Sequence, residues 1–302
     1  PGVPDFTEPS VIVAEDLAPA ETATLDRALV VGIVTQEGGR TSHTAILAAQ
    51  MGIPAVVQLK GATGIPAGTF VALDGDSGEV TINPDPSIVE EQKQRRDKRA
   101  AALAGTSGPG TTRDGHHVAL LANIGGVKDA EEAGALDLEG VGLFRTEFVF
   151  LSADKAPTVE EQTEIYRKVM APFGDRRVVA RTLDAGADKP LAFADLRQEE
   201  NPALGRRGLR LSAERPELLD AQLEALSIAA KETGADVRVM APMVATVEEA
   251  AWFARRVREN GLPKGGVMIE VPAAALRSAH VLAEVEFGSI GTNDLAQYTM
   301  AA

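Results

Sequence analysis

The chain has 302 residues, of which 44% are hydrophobic, so it is long enough for one large α/β domain or two ordinary ones with buried cores. Its 44 acidic residues outnumber its 30 basic ones, and the formal charge of −14 disfavours binding to nucleic acid or to an anionic membrane surface. The absence of cysteine excludes disulfides and a thiol nucleophile, and no apolar run reaches the roughly 18 residues of a membrane span, so we expect a cytoplasmic protein without membrane insertion.

Residues 1–83 are predicted to form a small β/α domain. Short apolar runs, including SVIVA and ALVVGIV, alternate with polar turns and one helical stretch. The turn DGDSG lies between two alternating runs within residues 69–82, and this pattern predicts a β-hairpin at the end of the domain.

One segment of this domain, GGRTSHTAILAAQM at residues 38–51, places a histidine near the start of a predicted helix. Thr41 or Ser42 is suited to cap that helix, and the two glycines permit close backbone approach. A helix N-terminus favours negative charge, so it would stabilise a phosphoryl group on the imidazole of His43, which is a nucleophile when neutral. The alternative is a capping-region histidine without chemistry. We likewise assign no chemistry to the other histidines, since His116 and His117 lie at the entry to a predicted strand and His280 lies in a predicted helix.

Residues 84–111 are predicted to be a linker helix followed by a joint. Asp85 can cap a helix with Pro86 at its first position, and Gly105 ends it. The helix is charged on every side, which favours a solvent-exposed connection between domains, and about 18 helical residues would span about 27 Å. The following GTSGPGTT predicts a flexible joint about which the first domain swivels.

Residues 112–302 show apolar runs that alternate with amphipathic helical stretches. Continuous Val, Ile and Leu runs separated by helices predict a parallel sheet covered on both faces. We count about six βα units, whereas a closed (β/α)8 barrel has eight. The predicted fold class is therefore α/β: a small swivelling β/α domain, a linker helix, and an incomplete (β/α)8 TIM-type barrel.

Polar residues follow four of these apolar runs, at or just beyond their carboxyl ends: Arg145, Arg181, Glu270, and the pair Asn293 and Asp294. In a parallel barrel these ends converge on one face, where active sites are built. For any one of these residues, an ordinary ion pair or helix cap is the alternative explanation. As a set, they predict a functional site.

The chemistry of this set favours a small phosphorylated acid and a metal ion. Arginine binds phosphate or carboxylate bidentately, and further donors are Lys189 and the arginines of NPALGRRGLR, namely Arg206, Arg207 and Arg210. Glu270 and Asp294 offer hard carboxylate oxygens, which suit Mg²⁺ held by one or two carboxylates, waters and substrate phosphate. Phosphoryl transfer in such a site is mainly positioning and charge neutralisation.

Six ordered motifs carry a resemblance to a known family. GGRTSHTAILA resembles the phosphohistidine motif of enzymes that exchange phosphoryl groups with phosphoenolpyruvate. Five further motifs come after it in the order and spacing of PTS enzyme I: GVGLFRTEFVF, RTLDAGADKP, NPALGRRGLR, GVMIEVPAAAL and FGSIGTNDLAQYT. The chain is thereby identified as a member of the phosphoenolpyruvate–protein phosphotransferases.

The resemblance implies roles for the matching residues. His43 would be the phosphorylated histidine, which makes residues 1–83 a phosphohistidine domain. Arg145 and Arg181 would hold the phosphate of phosphoenolpyruvate, and Arg207 lies in the family's third arginine motif. The implied reaction passes the phosphoryl group from phosphoenolpyruvate to His43 and then to the carrier protein HPr, as the first step of the sugar phosphotransferase system.

The same resemblance implies that Glu270 and Asp294 bind Mg²⁺, that Asn293 contacts the substrate, and that the complete protein is a homodimer through its barrel domain. In the family, a helical subdomain that binds HPr is inserted before the segment matched by this chain, and a substrate-binding arginine and a proton-donating cysteine lie beyond GTNDLAQYT. We therefore expect a central fragment that is inactive alone.

Two other functions stay open at the level of the sequence. A pyruvate-phosphate dikinase or phosphoenolpyruvate synthase shares the histidine motif and parts of the barrel, but it needs an ATP-grasp domain upstream. A non-catalytic sensor would bind phosphoenolpyruvate without phosphorylation of His43. The flanking sequence would distinguish these enzymes from one another. Phosphorylation of His43 would distinguish the enzymes from the sensor.

Overall fold

The computed structural model divides the chain into two compact units, residues 1–107 and 108–302. Two of the predicted site residues, His43 and Lys189, lie outside the residues that it describes. The described residues are 6–17, 25, 29–39, 44–45, 48, 52–104, 108–151, 153, 155–185, 191, 193, 199–201 and 203–301.

The N-terminal unit contains a three-stranded parallel sheet. Its strands are β1 (Ser10–Ala14), β2 (Val30–Thr35) and β3 (Ala55–Val56), in that spatial order. Apolar side chains from these strands and the intervening segments form a small core of Ile12, Leu17, Val30, Ile33 and Ala48.

The predicted hairpin is present as β4 (Val71–Asp74) and β5 (Glu79–Ile82), which pair antiparallel. The carboxylate of Asp74 accepts hydrogen bonds from the backbone N–H groups of Ser77, at 3.2 Å, and Asp76, at 2.9 Å. These bonds lower the pKa of Asp74, because they stabilise its ionised form. The side chain thus fixes the turn that the DGDSG sequence predicts.

The helix predicted after Asp85 is present as α1 (Pro86–Ala104), and none of its described side chains is buried. The Asp85 carboxylate accepts the backbone N–H of Ser87 at 3.1 Å, as expected at a helix start. The exposed side chains of Arg95 and Arg99 form ion pairs with Asp74 and with Asp76 in the hairpin turn, and such surface pairs contribute at most about 1 kcal/mol each. The role of α1 as a linker stays a prediction.

The C-terminal unit is built on a curled sheet of six parallel strands, arranged in space in the order of the chain. This is the incomplete TIM-type barrel that the sequence predicts. A short antiparallel pair, β6 (Gly110–Thr111) and β7 (His117–Val118), precedes it. The six strands are β8 (Ala122–Ile124), β9 (Gly140–Arg145), β10 (Arg177–Arg181), β11 (Asp236–Ala241), β12 (Gly265–Ile269) and β13 (Phe287–Ile290).

Helices come after each of these strands in the described residues. They are α2 (Val127–Gly134), α3 (Phe148–Leu151), α4 (Val159–Met170), α5 (Leu209–Glu214), α6 (Pro216–Thr233), α7 (Val247–Glu259), α8 (Pro272–Leu276), α9 (Ser278–Leu282) and α10 (Thr292–Met300). Their apolar faces pack on one face of the sheet and form the main core of the unit.

The other face of the sheet, which we call the inner face, carries a smaller apolar cluster of Val179, Met240 and Met268. Side chains alternate between the two faces along a strand. On β10, Val178 and Ala180 therefore belong to the main core, while Val179 and Arg181 point to the inner face.

Close backbone packing at the start of β9 requires glycine. Gly140 has a φ of 135°, and a Cβ built there would lie 2.1 Å from the carbonyl oxygen of Arg177 on β10. No rearrangement of a flexible side chain can relieve that contact, because the position of a Cβ is fixed by the backbone and the carbonyl oxygen of Arg177 is itself a backbone atom. Gly140 thus allows β9 and β10 to pair in the register that places their last residues side by side.

We expect Gly140→Ala to lower the free energy of unfolding of this unit by about 3 kcal/mol or more, since steric overlap adds to backbone strain. Gly234→Ala is a matched control, with a φ of 76° and open space around it, and should cost about 1 kcal/mol. Urea unfolding followed by the fluorescence of Trp252, the one tryptophan of the chain, measures both. A loss for Gly140→Ala no larger than that for the control would contradict this packing.

Candidate active site

The described predicted site residues that end or follow strands lie along one edge of the curled sheet. Arg145 and Arg181 are the last residues of β9 and β10 and are register partners. Glu270 comes directly after β12, and Asn293 and Asp294 lie in the first turn of α10, just beyond β13. The structure therefore brings these side chains to the carboxyl ends of the parallel strands, as the apolar pattern predicts.

Arg181 is held by two buried carboxylates. Its Nε and one terminal nitrogen donate to Oε1 of Glu147 at 3.0 and 2.8 Å, and the other terminal nitrogen lies 3.5 Å from Oδ2 of Asp184. Burial disfavours the charge, but the two carboxylates outweigh it and raise the pKa of Arg181. The guanidinium is thus fixed in one orientation on the inner face.

Arg207 bridges two strand ends. Its Nε and one terminal nitrogen lie 3.4 and 3.3 Å from the carboxylate oxygens of Asp184, and its other terminal nitrogen donates to Oδ1 of Asp294 at 3.1 Å. The hydroxyl of Tyr298 lies 3.3 Å from that same nitrogen. Burial lowers the pKa of Arg207, but Asp184 and Asp294 more than offset it, so the net pKa is raised.

Glu270 is almost fully buried, at 1% exposure. Its Oε1 accepts the backbone N–H of Met243 at 2.7 Å, and Met243 itself has a φ of 60°, which is unusual for a residue with a Cβ. Burial, together with the nearby charges of Asp184 and Asp294, raises the pKa of Glu270 to about 7. Burial is therefore the main reason why Glu270 holds its proton, and the neighbouring carboxylates add to it.

Arg145 differs from the other two arginines. Its Nε is buried and has no hydrogen-bond partner among the residues that the structure describes. A buried donor left unpaired is costly, and such groups are commonly satisfied by a ligand, ion or water. Its neighbour across the sheet is the cationic Arg181, so an anion is the ligand that both would favour.

Two carboxylates of the site, Glu147 and Asp184, were not predicted from the sequence. Each comes two or three residues after a strand-end arginine, in the related segments RTE and RTLD. This recurrence of arginine, threonine and then an acid at the ends of neighbouring strands was the available signal. We call the seven residues of the site the strand-end cluster: Arg145, Glu147, Arg181, Asp184, Arg207, Glu270 and Asp294.

The predicted Mg²⁺ fits these residues in its chemistry. Within the described parts of the chain, no group of three or more acidic or histidine side chains is arranged to hold a metal ion by itself. Mg²⁺ commonly takes only one or two carboxylates and completes its shell with water and substrate phosphate. Glu270 and Asp294 offer such a pair of carboxylates, and a cation beside them would offset the Asp184 and Asp294 charges that add to the effect of burial on Glu270.

The comparison with protein families agrees with this geometry. The model described as PEP-utilising enzyme, PEP-binding domain, matches residues 102–302. The model described as PEP-utilising enzyme, mobile domain, matches residues 6–78. The chain belongs to the phosphoenolpyruvate-utilising enzymes.

Curated relatives narrow the family further. The chain is 56% identical, over its whole length, to the phosphoenolpyruvate-protein phosphotransferase of Streptomyces coelicolor and spans 55% of that protein. It is 42% identical to the proteins of the same name from Staphylococcus carnosus and Bacillus subtilis, with 98% of the chain aligned and 54% and 55% of those proteins covered. The chain thus spans about half the length of the relatives that it matches.

A search of the described helices for one long and apolar enough to cross a membrane finds none.

We expect the charge of Glu270 to lower stability as the pH rises. The folded state keeps the Glu270 proton up to a pKa of about 7, whereas the ordinary pKa is 4.5, so the free energy of unfolding falls between those pH values by about 3 kcal/mol. In the presence of EDTA, Glu270→Gln should therefore unfold at a higher urea concentration than the parent at pH 8, and the gain should vanish near pH 5.

The matched control for this prediction is Glu224→Gln, on the exposed side of α6. That variant should behave like the parent protein at both pH values. A stability difference for Glu270→Gln that is the same at pH 5 and pH 8 would show that the buried carboxylate is not the titrating group.

Proposed function

We propose that this chain provides the phosphorylatable histidine and the phosphoenolpyruvate site of a phosphoenolpyruvate–protein phosphotransferase. The observation that carries the proposal is the pair of neighbouring strand-end arginines, one with a buried donor that has no partner among the described residues, on the same strand edge as the carboxylates Glu270 and Asp294. The names of the relatives support the same reaction. In the proposal, Arg145 and Arg181 bind the phosphate.

The other polar residues complete the substrate site in this proposal. Arg207, Lys189 and Asn293 contact the bound molecule, and Asp294 lies beside it. Glu270 and Asp294 would hold Mg²⁺, which would neutralise phosphate charge when bound. Glu147 and Asp184 do not touch the substrate, but they hold the Arg181 and Arg207 guanidinium groups in place.

The reaction exchanges one bond to phosphorus for another. A ring nitrogen of neutral His43 attacks the phosphorus, the bond between phosphorus and the enol oxygen breaks, and enolpyruvate leaves with the electron pair. A proton taken up at the methylene carbon then gives pyruvate. Arg145 and Arg181 stabilise the charge on the transferring phosphoryl group, because their donors are already oriented by the strand ends.

The full-length protein is proposed to pass the phosphoryl group from His43 to HPr in the cytoplasm, as the first step of sugar uptake by the phosphotransferase system, and to form a homodimer through its barrel. Because residues 1–302 span about 55% of the relatives' length, we assign the complete cycle to the full-length protein and expect this segment alone not to complete it.

Incubation of the full-length protein with phosphoenolpyruvate carrying labelled phosphorus, in the presence of Mg²⁺, should give an acid-labile label on His43. His43→Ala should abolish the label, and His280→Ala, on α9, should retain it. Label that persists in His43→Ala would refute the assignment of the nucleophile. Binding of phosphoenolpyruvate without any labelling of the parent protein would instead support the sensor function.

Two arginine variants separate ligand binding from structural support. Arg145→Gln should lower the labelling rate by about 10- to 100-fold at limiting phosphoenolpyruvate, because a charged hydrogen bond contributes about 1.5–3 kcal/mol, and should leave stability nearly unchanged. Arg181→Gln should lower the rate as well and also cost about 3–5 kcal/mol of stability, because Glu147 loses its buried partner and Asp184 keeps only Arg207.

Labelling rates and Trp252-monitored urea unfolding test this pair of variants together. Equal losses of stability in Arg145→Gln and Arg181→Gln would contradict the distinction drawn between a ligand-facing arginine and one tied to carboxylates.

A further inference from the structure

A buried amide lies behind the two arginine-bearing strand ends. Gln222 is on α6 and is 1% exposed, on a helix face that otherwise carries the apolar side chains Leu219, Leu223 and Leu226. A polar side chain in such a position lowers stability unless its hydrogen-bonding groups are satisfied. The amide of Gln222 is satisfied by three partners, and two of them belong to the segments just beyond β9 and β10.

The first partner of Gln222 is the residue after Arg145. Its Nε2 donates to the hydroxyl of Thr146 at 2.9 Å, and that hydroxyl donates in turn to the carbonyl oxygen of Arg181 at 2.8 Å. Thr146 is fully buried, at 0% exposure. One short chain of hydrogen bonds therefore runs from α6 through the end of β9 to the end of β10.

The second partner lies two residues beyond Arg181. The backbone N–H of Leu183 donates to Oε1 of Gln222 at 2.9 Å. The next residue is Asp184, whose carboxylate contacts the guanidinium groups of Arg181 and Arg207. Because the register between β9 and β10 ends at Arg145 and Arg181, the segments beyond it are joined by these side-chain bonds.

The third partner of Gln222 anchors it from the outer side. Its Nε2 also lies 3.0 Å from the hydroxyl of Tyr166 on α4, and that hydroxyl donates to Oε1 of Gln162 at 3.0 Å. Nε2 of Gln162 donates to the carbonyl oxygen of Pro157, just before α4. The bonds to Tyr166 thus face the helical layer and do not touch the segments that carry the arginines.

We propose that Gln222 is a positioning residue, which fixes the spacing of the Arg145 and Arg181 guanidinium groups by holding Thr146 and Leu183 with one amide. This inference rests on the proposed function, because those guanidinium groups are the proposed phosphate ligands. Leucine or methionine would fill the same volume on α6 without the two connections. The hydrogen bonds to Thr146 and Leu183, and not the volume of the side chain, therefore distinguish glutamine from leucine or methionine at this position.

The test compares Gln222→Met with Tyr166→Phe in the full-length protein. Both variants disrupt the same buried network, but Gln222→Met removes the bonds to Thr146 and Leu183, whereas Tyr166→Phe leaves them. We expect Gln222→Met to raise KM for phosphoenolpyruvate and to lower kcat/KM by about 10- to 100-fold, since small misplacements of substrate-binding groups are costly. Tyr166→Phe should stay within about threefold of the parent kcat/KM, although it also lowers stability.

Hydrogen exchange supplies a readout that does not depend on catalysis. Peptides that contain the Leu183 amide should lose protection in Gln222→Met and keep it in Tyr166→Phe. Thr146→Val, which removes the hydroxyl between Gln222 and the Arg181 carbonyl, is the second variant and should reproduce the kinetic effect of Gln222→Met.

The outcomes separate this inference from the proposed function. Failure of the parent protein to label His43 would refute the proposed function, while exchange at Leu183 would still decide whether Gln222 holds that segment. Unchanged protection at Leu183 in Gln222→Met would overturn the inference. The inference would also be overturned if the parent protein is labelled normally and the kcat/KM losses of Gln222→Met and Tyr166→Phe are in proportion to their losses of stability.

Discussion

The buried ion pairs of Arg181 with Glu147 and Asp184 are the interaction on which the site depends. The register of β9 and β10 places Arg181 beside Arg145, and two adjacent buried cations would repel each other without nearby carboxylates. Asp184 also contacts Arg207, which reaches on to Asp294 beyond β13. A chain of alternating charges thus runs along the carboxyl edge of the sheet, and each charge is oriented by the next.

The balance of these charges explains what the site can accept. The strand-end cluster contains three guanidinium groups and four carboxylates, so it carries one excess negative charge when all are ionised. Burial above all, and the charges of Asp184 and Asp294 in addition, raise the pKa of Glu270 to about 7. An anionic substrate such as phosphoenolpyruvate would add further negative charge. A divalent cation beside Glu270 and Asp294 would offset that charge. The Nε of Arg145, for which the described part of the chain offers no partner, adds a donor that could bind that anion.

Much of this arrangement could be predicted from the sequence, because strand ends of a parallel sheet converge wherever the strands lie in chain order. Arg145, Arg181, Glu270 and Asp294 come at the ends of apolar runs, and the structure places them on one edge. The network of Gln222 and Tyr166 could not be predicted in this way. Thr146 and Tyr166, which bind Gln222, lie 76 and 56 residues from it in the chain, and these contacts depend on how α4 and α6 pack. His43 and Lys189 lie outside the residues that the structure describes, so their roles stay predictions.

A crystal structure of the full-length protein with phosphoenolpyruvate and Mg²⁺ would show directly whether the strand-end cluster binds phosphoenolpyruvate. We expect phosphate oxygens within about 3 Å of the Arg145 and Arg181 donors, including Nε of Arg145, and a cation on Glu270 and Asp294. Phosphoenolpyruvate bound elsewhere, with Nε of Arg145 still unpartnered, would contradict it.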